Sequence, residues 1–421
     1  MRLPSLVLGL LALLALDACH PPAPKPVRKG PLVFFHQVRV FDGEKTTLGD
    51  VLVDGKHVAE VGPSLEVPAG AEVIEGEGKT LLPAFVDAHV HAGKEDEHLQ
   101  QNLVFGVGLV VDMFGPPTQI KARHAAEAAL VPDALADLRG AATLATAPNG
   151  HGTEFGIPIP TLASPEEAPA FVDGRVAEGA DFVKIVFEED MPTISRQTMR
   201  ALIDAAHARG KLALIHVGKQ HEARAAIEEG ADGLAHLFYD SAPSADLGPL
   251  VASKKAFVIP TLTVLARHCG VRPGIAIAED PQLSPYLLPG AGKRLRKSYK
   301  GEDGNCIHHA FAAVAAMKAA KVPILAGTDA ANAGTAHGAS LHGELSLLVE
   351  AGLTPTEALT AATATPARVF SLAGRGHIAP GMRADLVLVA GDPTKDIKAT
   401  RAIVTIWKLG ARVPRPRLAG T

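Results

Sequence analysis

The sequence predicts an α/β chain in which a (β/α)8 barrel carries a small accessory β-sandwich built from the N- and C-terminal segments. Between about residues 83 and 375, apolar runs of strand length alternate with stretches of helical periodicity. Eight such runs can be identified, and eight parallel strands close a barrel of this kind. The segments on either side contain strand and turn patterns only. A chain of 421 residues has room for both parts, since a barrel takes about 250 residues.

Residues 1–19 have the features of an export signal and are not expected to belong to the fold. Arg2 precedes an apolar run that ends at Leu16, too short to cross a bilayer core of about 30 Å but typical of a secretory signal. The tetrapeptide ending at Cys19 resembles a bacterial lipoprotein cleavage box, with Cys19 as the lipid attachment point. An ordinary signal peptide is the alternative. The proline-rich residues 20–30 would form a stiff tether, so we expect an exported lipoprotein of the periplasm or outer membrane.

Residues 31–82 are predicted to form the N-terminal part of the sandwich. Val33–Val40, a run ending at Val53, and His57–Val61 have strand patterns, with a tight turn between the last two. The C-terminal part, residues 376–415, contains the strand candidates Ala384–Val389 and Arg401–Lys408. Because the two segments flank the barrel, we expect them to pair with each other.

The barrel is assigned to residues 83–375, and one of its repeats is unusually clear. Ser195 caps a predicted helix whose apolar positions recur every three or four residues, Gly210 ends it, and a buried strand then leads to His216. Arg272–Gly304, rich in proline, glycine and basic residues, is predicted to be a loop or lid near the active face. The eight predicted strands are Leu81–Ala88, Val107–Met113, Gly140–Thr146, Asp181–Val186, Lys211–Ile215, Gly233–His236, Ala256–Pro260 and Val322–Gly327.

Side chains that can bind metal lie at the ends of these strands, where barrel enzymes place their sites. His89 and His91 should point the same way because side chains alternate between the faces of a strand. Asp329 follows the eighth strand, which neighbours the first in a closed barrel, so these three residues would hold one divalent ion. His216 and His236, from the adjacent fifth and sixth strands, would hold a second. Imidazole and carboxylate ligands suit zinc and leave a position for water.

Lys184, at the end of the fourth predicted strand, faces the slot between these two sets of ligands. A buried ammonium group beside two cations is unfavourable, but the neutral amine can take up carbon dioxide and become an anionic carbamate that bridges both metals. The alternative is a lysine in a salt bridge at a strand end. The ordered series His-x-His, Lys, His, His and Asp on strands one, four, five, six and eight favours the metal site over isolated core or surface residues.

Composition excludes some partners and leaves others open. The formal net charge is −4 and aromatic residues make up 4% of the chain, so neither a basic field nor stacking platforms favour nucleic acid. The expected partner is a small-molecule substrate. Contact with a membrane is expected only through a lipid on Cys19. A homo-oligomer is compatible with the sequence. Cys269 and Cys306 can form a single disulfide in an oxidising compartment, but sequence alone does not place them within bonding distance.

Two segments resemble the amidohydrolase superfamily. The run Pro83–His91 is similar to its first-strand signature, and Gly376–Leu388 is similar to its closing β segment. Within the superfamily, Ala180–Ile185 resembles the imidazolonepropionase-like branch with a carboxylated lysine, which includes prolidase-like dipeptidases and hydrolases of N-acyl amino acids. The resemblance implies a barrel with an accessory sandwich and a pair of zinc ions. It also implies that His151 polarises the scissile carbonyl, while Tyr239 is a candidate for hydrogen bonding to the substrate.

The expected reaction is hydrolysis of an amide bond, in a peptide or an N-acyl amino acid, by a hydroxide that bridges the metals. Asp329 would take the proton of the hydroxide and pass it to the leaving amine. Alternatives are an ester, lactone or phosphotriester hydrolase on the same site, a mononuclear deaminase or cyclic-amide hydrolase, and a non-catalytic binding scaffold. The acidic run Glu188–Asp190 is either a contact for a cationic substrate end or a solvated surface. No role is assigned to His337 or His342.

Overall fold

The computed structural model describes residue 28, residues 30–297 and residues 305–418, and it shows an α/β fold. The predicted signal sequence, Cys19 and nearly all of the proline-rich tether lie outside the described residues. Strands within the described part are β1 (Leu32–Phe41), β2 (Thr46–Asp54), β3 (His57–Gly62), β4 (Glu72–Glu75), β5 (Lys79–Pro83), β6 (Phe85–Val90), β7 (Val107–Asp112), β8 (Asp137–Gly140), β9 (Val183–Val186), β10 (Ala213–His216), β11 (Gly233–Ala235), β12 (Phe257–Ile259), β13 (Leu386–Ala390), β14 (Ile403–Lys408) and β15 (Ala411–Arg412).

The helices lie mainly between the parallel strands. They are α1 (Asp96–Val104), α2 (Pro117–Ala128), α3 (Ala168–Glu178), α4 (Arg196–His207), α5 (Gln220–Glu228), α6 (Leu247–Ser253), α7 (Leu262–His268), α8 (Pro273–Ala278), α9 (Ala291–Leu295), α10 (Cys306–Ala319), α11 (Ala339–Glu350), α12 (Pro355–Ala361) and α13 (Ala364–Val369). The clear repeat is confirmed, since the Ser195 side chain accepts from the Thr198 backbone N–H at 3.0 Å and α4 follows it. Among the described helices, none combines the length and apolar character needed to cross a membrane.

Both terminal segments join in one eight-stranded sheet of the described residues, in the order β15-β14-β13-β5-β1-β2-β3 with β4 beside β1. The expected pairing of the two segments is present because β13 runs antiparallel to β5. Strand β4 was not predicted. Alternating side chains of these strands, among them Phe35, Val51 and Trp407, form a core separate from that of the helical region.

The parallel strands form two sheets, β6-β7-β8 and β12-β11-β10-β9. Parallel bridges join their edges: Ala145 pairs with Ile185 of β9, Val258 of β12 pairs with Ile324, and Val90 of β6 pairs with Ala330. This spatial order of parallel strands is TIM-barrel-like. It brings the loops after the first and eighth predicted strands next to each other.

Several predicted strand bounds were wrong. Leu81–Ala88 is two strands, because Ala84 donates to Asp385 of the terminal sheet at 2.8 Å whereas Phe85 donates to Gly106 beside β7 at 2.9 Å. The third parallel strand, β8, ends at Gly140, where the predicted strand Gly140–Thr146 was expected to begin. Within that predicted run, Ala142 has a left-handed φ of 57°, which is not a strand conformation. The eighth predicted strand, Val322–Gly327, contributes an isolated bridge at Ile324.

Arg272–Gly304 is also more ordered than the predicted loop. Its described part contains α8 and α9, and Leu283 and Leu295 pack with Phe105 in a buried cluster. Cys269 and Cys306 form a disulfide with Cα atoms 5.5 Å apart, which closes a loop around this segment. The pairing that the sequence left open is therefore made.

Alternation along the strands separates two apolar layers. In β7, Val110 packs in the outer core toward the helices, whereas Leu109 and Val111 belong to an inner cluster. In β9, Val183 and Ile185 belong to the outer core. Lys184 lies between them and therefore faces inward, because successive strand side chains point to opposite sides.

A buried ion-pair network lies at the opposite end of these strands from the histidines. Asp137, at the start of β8, contacts Arg375 and lies 3.0 Å from Arg383 and 2.9 Å from Lys408 of β14. Burial alone would raise the pKa of Asp137, but the surrounding cations outweigh it and hold the pKa well below its ordinary value. The network therefore fastens the parallel strands to the terminal sheet.

We expect Asp137→Asn to destabilise the chain by about 3 kcal/mol or more near pH 7, because it removes the buried carboxylate that Arg375, Arg383 and Lys408 share and leaves these cations with fewer counter-charges. The pKa of Asp137 is lower in the folded chain than the unfolded value of about 3.9, so its contribution is present above that value and is lost as the pH falls through the folded pKa. Denaturant unfolding at neutral pH measures the effect. Asp173→Asn, which removes the surface partner of Arg209, should leave the midpoint unchanged. Equal midpoints for both variants would contradict this role for the network.

Candidate metal centre

The first-strand histidines meet the eighth-strand aspartate, as the sequence predicted. His89 Nε2 lies 3.4 Å and His91 Nε2 lies 3.0 Å from Asp329 Oδ1. His89 is fully buried, and neither of its ring nitrogens has a hydrogen-bond partner among the described residues. Burial would raise the pKa of Asp329, but the neighbouring histidines hold it well below its ordinary value. Asp329 is therefore an ionised carboxylate among nitrogen donors.

His216 and His236 join the same cluster from β10 and from the residue after β11. Their ring centroids are 4.6 Å apart, and that of His236 lies 4.5 Å from that of His89. Burial lowers the pKa of His216 to about 4 and lowers that of His236 well below its ordinary value. These rings are neutral near pH 7, the form in which imidazole binds a metal.

The orientation of His236 is set by Thr261, a residue that the sequence analysis did not identify. Thr261 Oγ1 donates to the Pro260 carbonyl at 2.8 Å and lies 2.7 Å from His236 Nδ1. Its proton is thus committed, so Nδ1–H of His236 is the donor in the second contact. This tautomer leaves Nε2 unprotonated and able to bind a metal, as in many metal sites.

Lys184 is the second residue of β9, two positions before the strand ends, rather than at the strand end as predicted. It is 3% exposed, and its Nζ has no hydrogen-bond partner within the described part of the chain. Burial lowers the pKa of Lys184 to about 7, although the charge of Asp329 opposes the shift. The predicted alternative of a lysine held in a salt bridge is therefore not what the described residues form.

The grouping of the ligands differs from the predicted division into two sets. Donor atoms of His89, His236 and Asp329 lie within 4.8 Å of one another. His216 forms a second group with His151 and Glu188, in which its Nε2 lies 3.3 Å from Glu188 Oε2. The hydrogen bond with His216 lowers the pKa of Glu188 to about 2, although burial of the carboxylate acts in the opposite direction. Sequence analysis placed Glu188 in an acidic run without linking it to the histidines, although it lies two residues beyond the end of β9.

His151 lies at the edge of the cluster. Its ring stacks on that of His216 with centroids 4.7 Å apart, and its Nδ1 lies 3.0 Å from Glu154 Oε1. Its side chain is 29% exposed, so the ring is open to an incoming molecule. The rest of the acidic run turns outward, where Glu189 pairs with His221 and Asp190 with Lys219.

Tyr239 packs against the outer core, and its ring stacks on that of His268 with centroids 5.8 Å apart. His342 hydrogen-bonds with Thr400 and with the Phe105 carbonyl, so it has a packing role away from the cluster. His337 is different. It lies buried in the loop before α11, and its ring centroid is 4.4 Å from that of His98.

Two features around the cluster were not visible in the sequence. The residues His236, Thr261 and Asp329 all have positive φ, at 86°, 51° and 56°, a conformation that is uncommon outside glycine and concentrates at functional sites. Asp87 is fully buried and accepts from the Thr328 hydroxyl at 2.7 Å, which ties the first strand to the loop that carries Asp329. These backbone conformations and the Asp87–Thr328 hydrogen bond hold the ligands in place and do not themselves bind metal.

The donor set fits divalent metal ions. It combines imidazole nitrogens, a carboxylate and an inward lysine, and several of its buried donor atoms have no protein partner among the described residues. Such atoms are costly unless they bind something. Nitrogen and oxygen donors of this kind suit zinc and neighbouring metals.

Comparison with known proteins agrees with this description. The model of the amidohydrolase family matches residues 80–413. An uncharacterized protein of Mycobacterium tuberculosis is 28% identical over 366 residues, covering 83% of this chain and 88% of that protein. The imidazolonepropionase of Deinococcus radiodurans is 25% identical over 409 residues, covering 86% and 91%. A crystal structure of a Xaa-Pro dipeptidase with methionine bound in its active site has a TM-score of 0.72 at 19% identity, covering 90% and 99%.

The family match spans most of the chain, the imidazolonepropionase is similar along most of the length of both proteins, and the Xaa-Pro dipeptidase shares the fold. The chain therefore belongs to the amidohydrolase family and is a hydrolase that acts on carbon–nitrogen bonds.

Proposed function

We propose that this chain is a binuclear metal-dependent hydrolase of amide bonds, in peptides or N-acyl amino acids. One observation carries the proposal: a buried lysine amine that has no hydrogen-bond partner among the described residues faces inward at a cluster of histidines and one ionised aspartate. His89, His91, His216, His236 and Asp329 would hold two divalent ions, and Lys184 would bridge them as an N6-carboxylated side chain. We propose zinc because imidazole dominates the set.

When bound, the metal ions supply an activated water and polarise the carbonyl group. The chain itself contributes proton transfer and positioning. Asp329 accepts a proton on a carboxylate oxygen and delivers it to the nitrogen of the leaving amine. Glu154 holds the His151 ring at Nδ1, so Nε2 faces the other way and would donate to the carbonyl oxygen. Tyr239 is proposed as a further substrate contact.

A substrate screen tests the proposal. Metal-loaded protein is incubated with a library of dipeptides and N-acyl amino acids that also contains an ester, a lactone and a phosphotriester. The proposal is supported if kcat/KM is higher for an amide than for the ester, the lactone and the phosphotriester. Turnover of the ester, lactone or phosphotriester alone would replace it with the corresponding hydrolase, and deamination with one metal per chain would favour a mononuclear enzyme. Metal-loaded protein that turns over none of these classes would count against amide hydrolysis.

We further propose that the parallel strands close into a complete (β/α)8 barrel, with residues 83–375 as the barrel and residues 31–82 and 376–415 as an accessory sandwich. The three parallel bridges between sheet edges support closure. The pairing of β13 with β5 supports a common terminal domain.

Export with a lipid on Cys19 is likewise proposed. The disulfide between Cys269 and Cys306 supports it, because disulfides persist in oxidising compartments. Labelling of cells with a radioactive fatty acid tests it: the protein should carry label, and Cys19→Ala should not. Label that persists in Cys19→Ala, or an unlabelled full-length protein in the cytoplasm, would refute it.

A further inference from the structure

A series of aromatic rings leads outward from the metal centre on the side of His151. The His151 ring stacks on that of His216 with centroids 4.7 Å apart, and it meets the Phe155 ring edge-to-face at 5.8 Å. Phe155 stacks in turn on Phe114, with centroids 6.3 Å apart. The phenyl rings therefore lie directly beside the residues that would hold the metal and the carbonyl oxygen.

The exposure of Phe155 sets it apart from the other phenylalanines. All 14 phenylalanines lie in the described part of the chain, and Phe155 alone is exposed. It is 54% exposed, whereas Phe114, on which it stacks, is partly buried. Ile157, two residues further along the same loop, is 56% exposed. Large apolar side chains in water lack the free energy of burial, and neighbouring ones on a surface mark a place where a ligand or another molecule binds.

The backbone of this loop holds the exposed ring in its position. A single 3-10 turn, Thr153–Phe155, lies between Gly152 and Gly156, whose φ values are 102° and 72°. Positive φ favours glycine because glycine has no Cβ. The Glu154 carboxylate accepts from the N–H of the first glycine at 2.5 Å and lies 3.0 Å from Nδ1 of His151. The turn therefore fixes the phenyl ring relative to the histidine.

The arrangement of the centre indicates which part of an amide reaches the phenyl rings. Four imidazole rings follow one another with centroid spacings of 4.5, 4.6 and 4.7 Å: His89, His236, His216 and His151. Asp329, which would protonate the leaving nitrogen, lies 3.4 Å from the first of these rings. His151, which would hold the carbonyl oxygen, is the last. Because the nitrogen points to the Asp329 end, the acyl substituent is left on the side of Phe155.

From this geometry we propose that Phe155 and Phe114 form a subsite for a large apolar group on the acyl part of the substrate. Aromatic faces bind a phenyl ring or a branched alkyl group by burying apolar area and by ring contact. The inference rests on the proposed function and narrows its substrate class. The substrate is an amide whose acyl part carries an aromatic or large aliphatic group, and a short acyl group such as acetyl leaves Phe155 in water.

Binding of hydroxamic acids tests the subsite separately from catalysis, because a hydroxamate group binds divalent metal ions through its two oxygens. The probes are acetohydroxamic acid and phenylacetohydroxamic acid, which differ by a phenyl group on the acyl carbon chain. Calorimetry measures both with metal-loaded wild type, Phe155→Ala and the matched control Leu48→Ala, which shortens an apolar side chain that is 64% exposed on β2.

Burial of the phenyl group against an aromatic face predicts that wild type and the control bind the phenyl probe about 10-fold more tightly than the acetyl probe. In Phe155→Ala this preference should fall to about 2-fold or less, while the affinity for acetohydroxamic acid stays unchanged. Phe155→Tyr keeps the ring and should retain the preference. Equal affinity of wild type for the two probes, binding of neither, or an unchanged preference in Phe155→Ala would each overturn the subsite.

Two further measurements separate this inference from its rivals. Light scattering determines the oligomeric state: a dimer that Phe155→Ala converts to a monomer, with the probe preference unchanged, would overturn the subsite and assign this surface to a second copy of the chain. Hydrolysis of N-acetyl-leucine and N-phenylacetyl-leucine is followed in parallel. A protein that prefers the phenyl probe but hydrolyses neither amide retains the subsite and loses the proposed function. Hydrolysis of both amides without a probe preference has the opposite meaning, so the two failures are distinguishable.

Discussion

Lys184→Ala is expected to lower metal content from about two ions per chain to one or fewer, and to reduce kcat/KM at least about 100-fold. The reason is that the proposed bridge between the ions would be removed, together with the anionic charge that balances them. The side chain is inward and buried, so the substitution alters the cluster and leaves the surface unchanged. Metal analysis of the purified variant measures the first effect, and steady-state kinetics measures the second.

Two comparisons make this result specific. Short carboxylic acids such as acetate and propionate should restore part of the activity of Lys184→Ala, because they can supply the missing oxygen ligand. Lys219→Ala removes a lysine that pairs with Asp190 near the same face and should keep full metal content. Metal stoichiometry in Lys184→Ala that equals that of the wild type would refute the bridging role.

Asp329→Asn is expected to keep the fold while losing about 10²- to 10⁴-fold in kcat. The amide retains the size of the carboxylate but cannot accept and release the proton that the leaving amine needs. Since Asp329 is also a predicted ligand, kcat is measured under saturating metal, and occupancy is determined on the same sample. Circular dichroism checks that the structure is retained.

Asp190→Asn provides the matched control, because it changes an exposed aspartate in the loop after β9 without touching the cluster. It should have wild-type kinetics. A near-normal rate for metal-saturated Asp329→Asn would remove this residue from the proton-transfer role, whatever its contribution to metal binding.

Local patterns predicted much of the helical region because the signals were strong. The helix after Ser195 has a capping side chain, apolar spacing and a terminating glycine, and each is a property of neighbouring residues. The order of histidines, lysine and aspartate along the strands was equally legible, since each follows or belongs to an apolar run. The structure places all of these side chains in one cluster.

Features that depend on distant contacts were missed. The apolar run around Ala84 is continuous in sequence, yet the chain passes there from the terminal sheet to the parallel strands within one residue. Thr261 sets the tautomer of His236 only because the fold brings the two strands together. The contact of Glu188 with His216 is likewise tertiary. Residue types at those positions carry no local signal for such contacts.

The two-metal centre with a carboxylated lysine is tested most directly by metal analysis combined with carbon-13 NMR of protein equilibrated with labelled carbon dioxide. The account predicts about two divalent ions per chain and a carbamate resonance in the wild type that is absent from Lys184→Ala. Wild-type protein that holds at most one ion after reconstitution, and that shows no carbamate resonance, would contradict it.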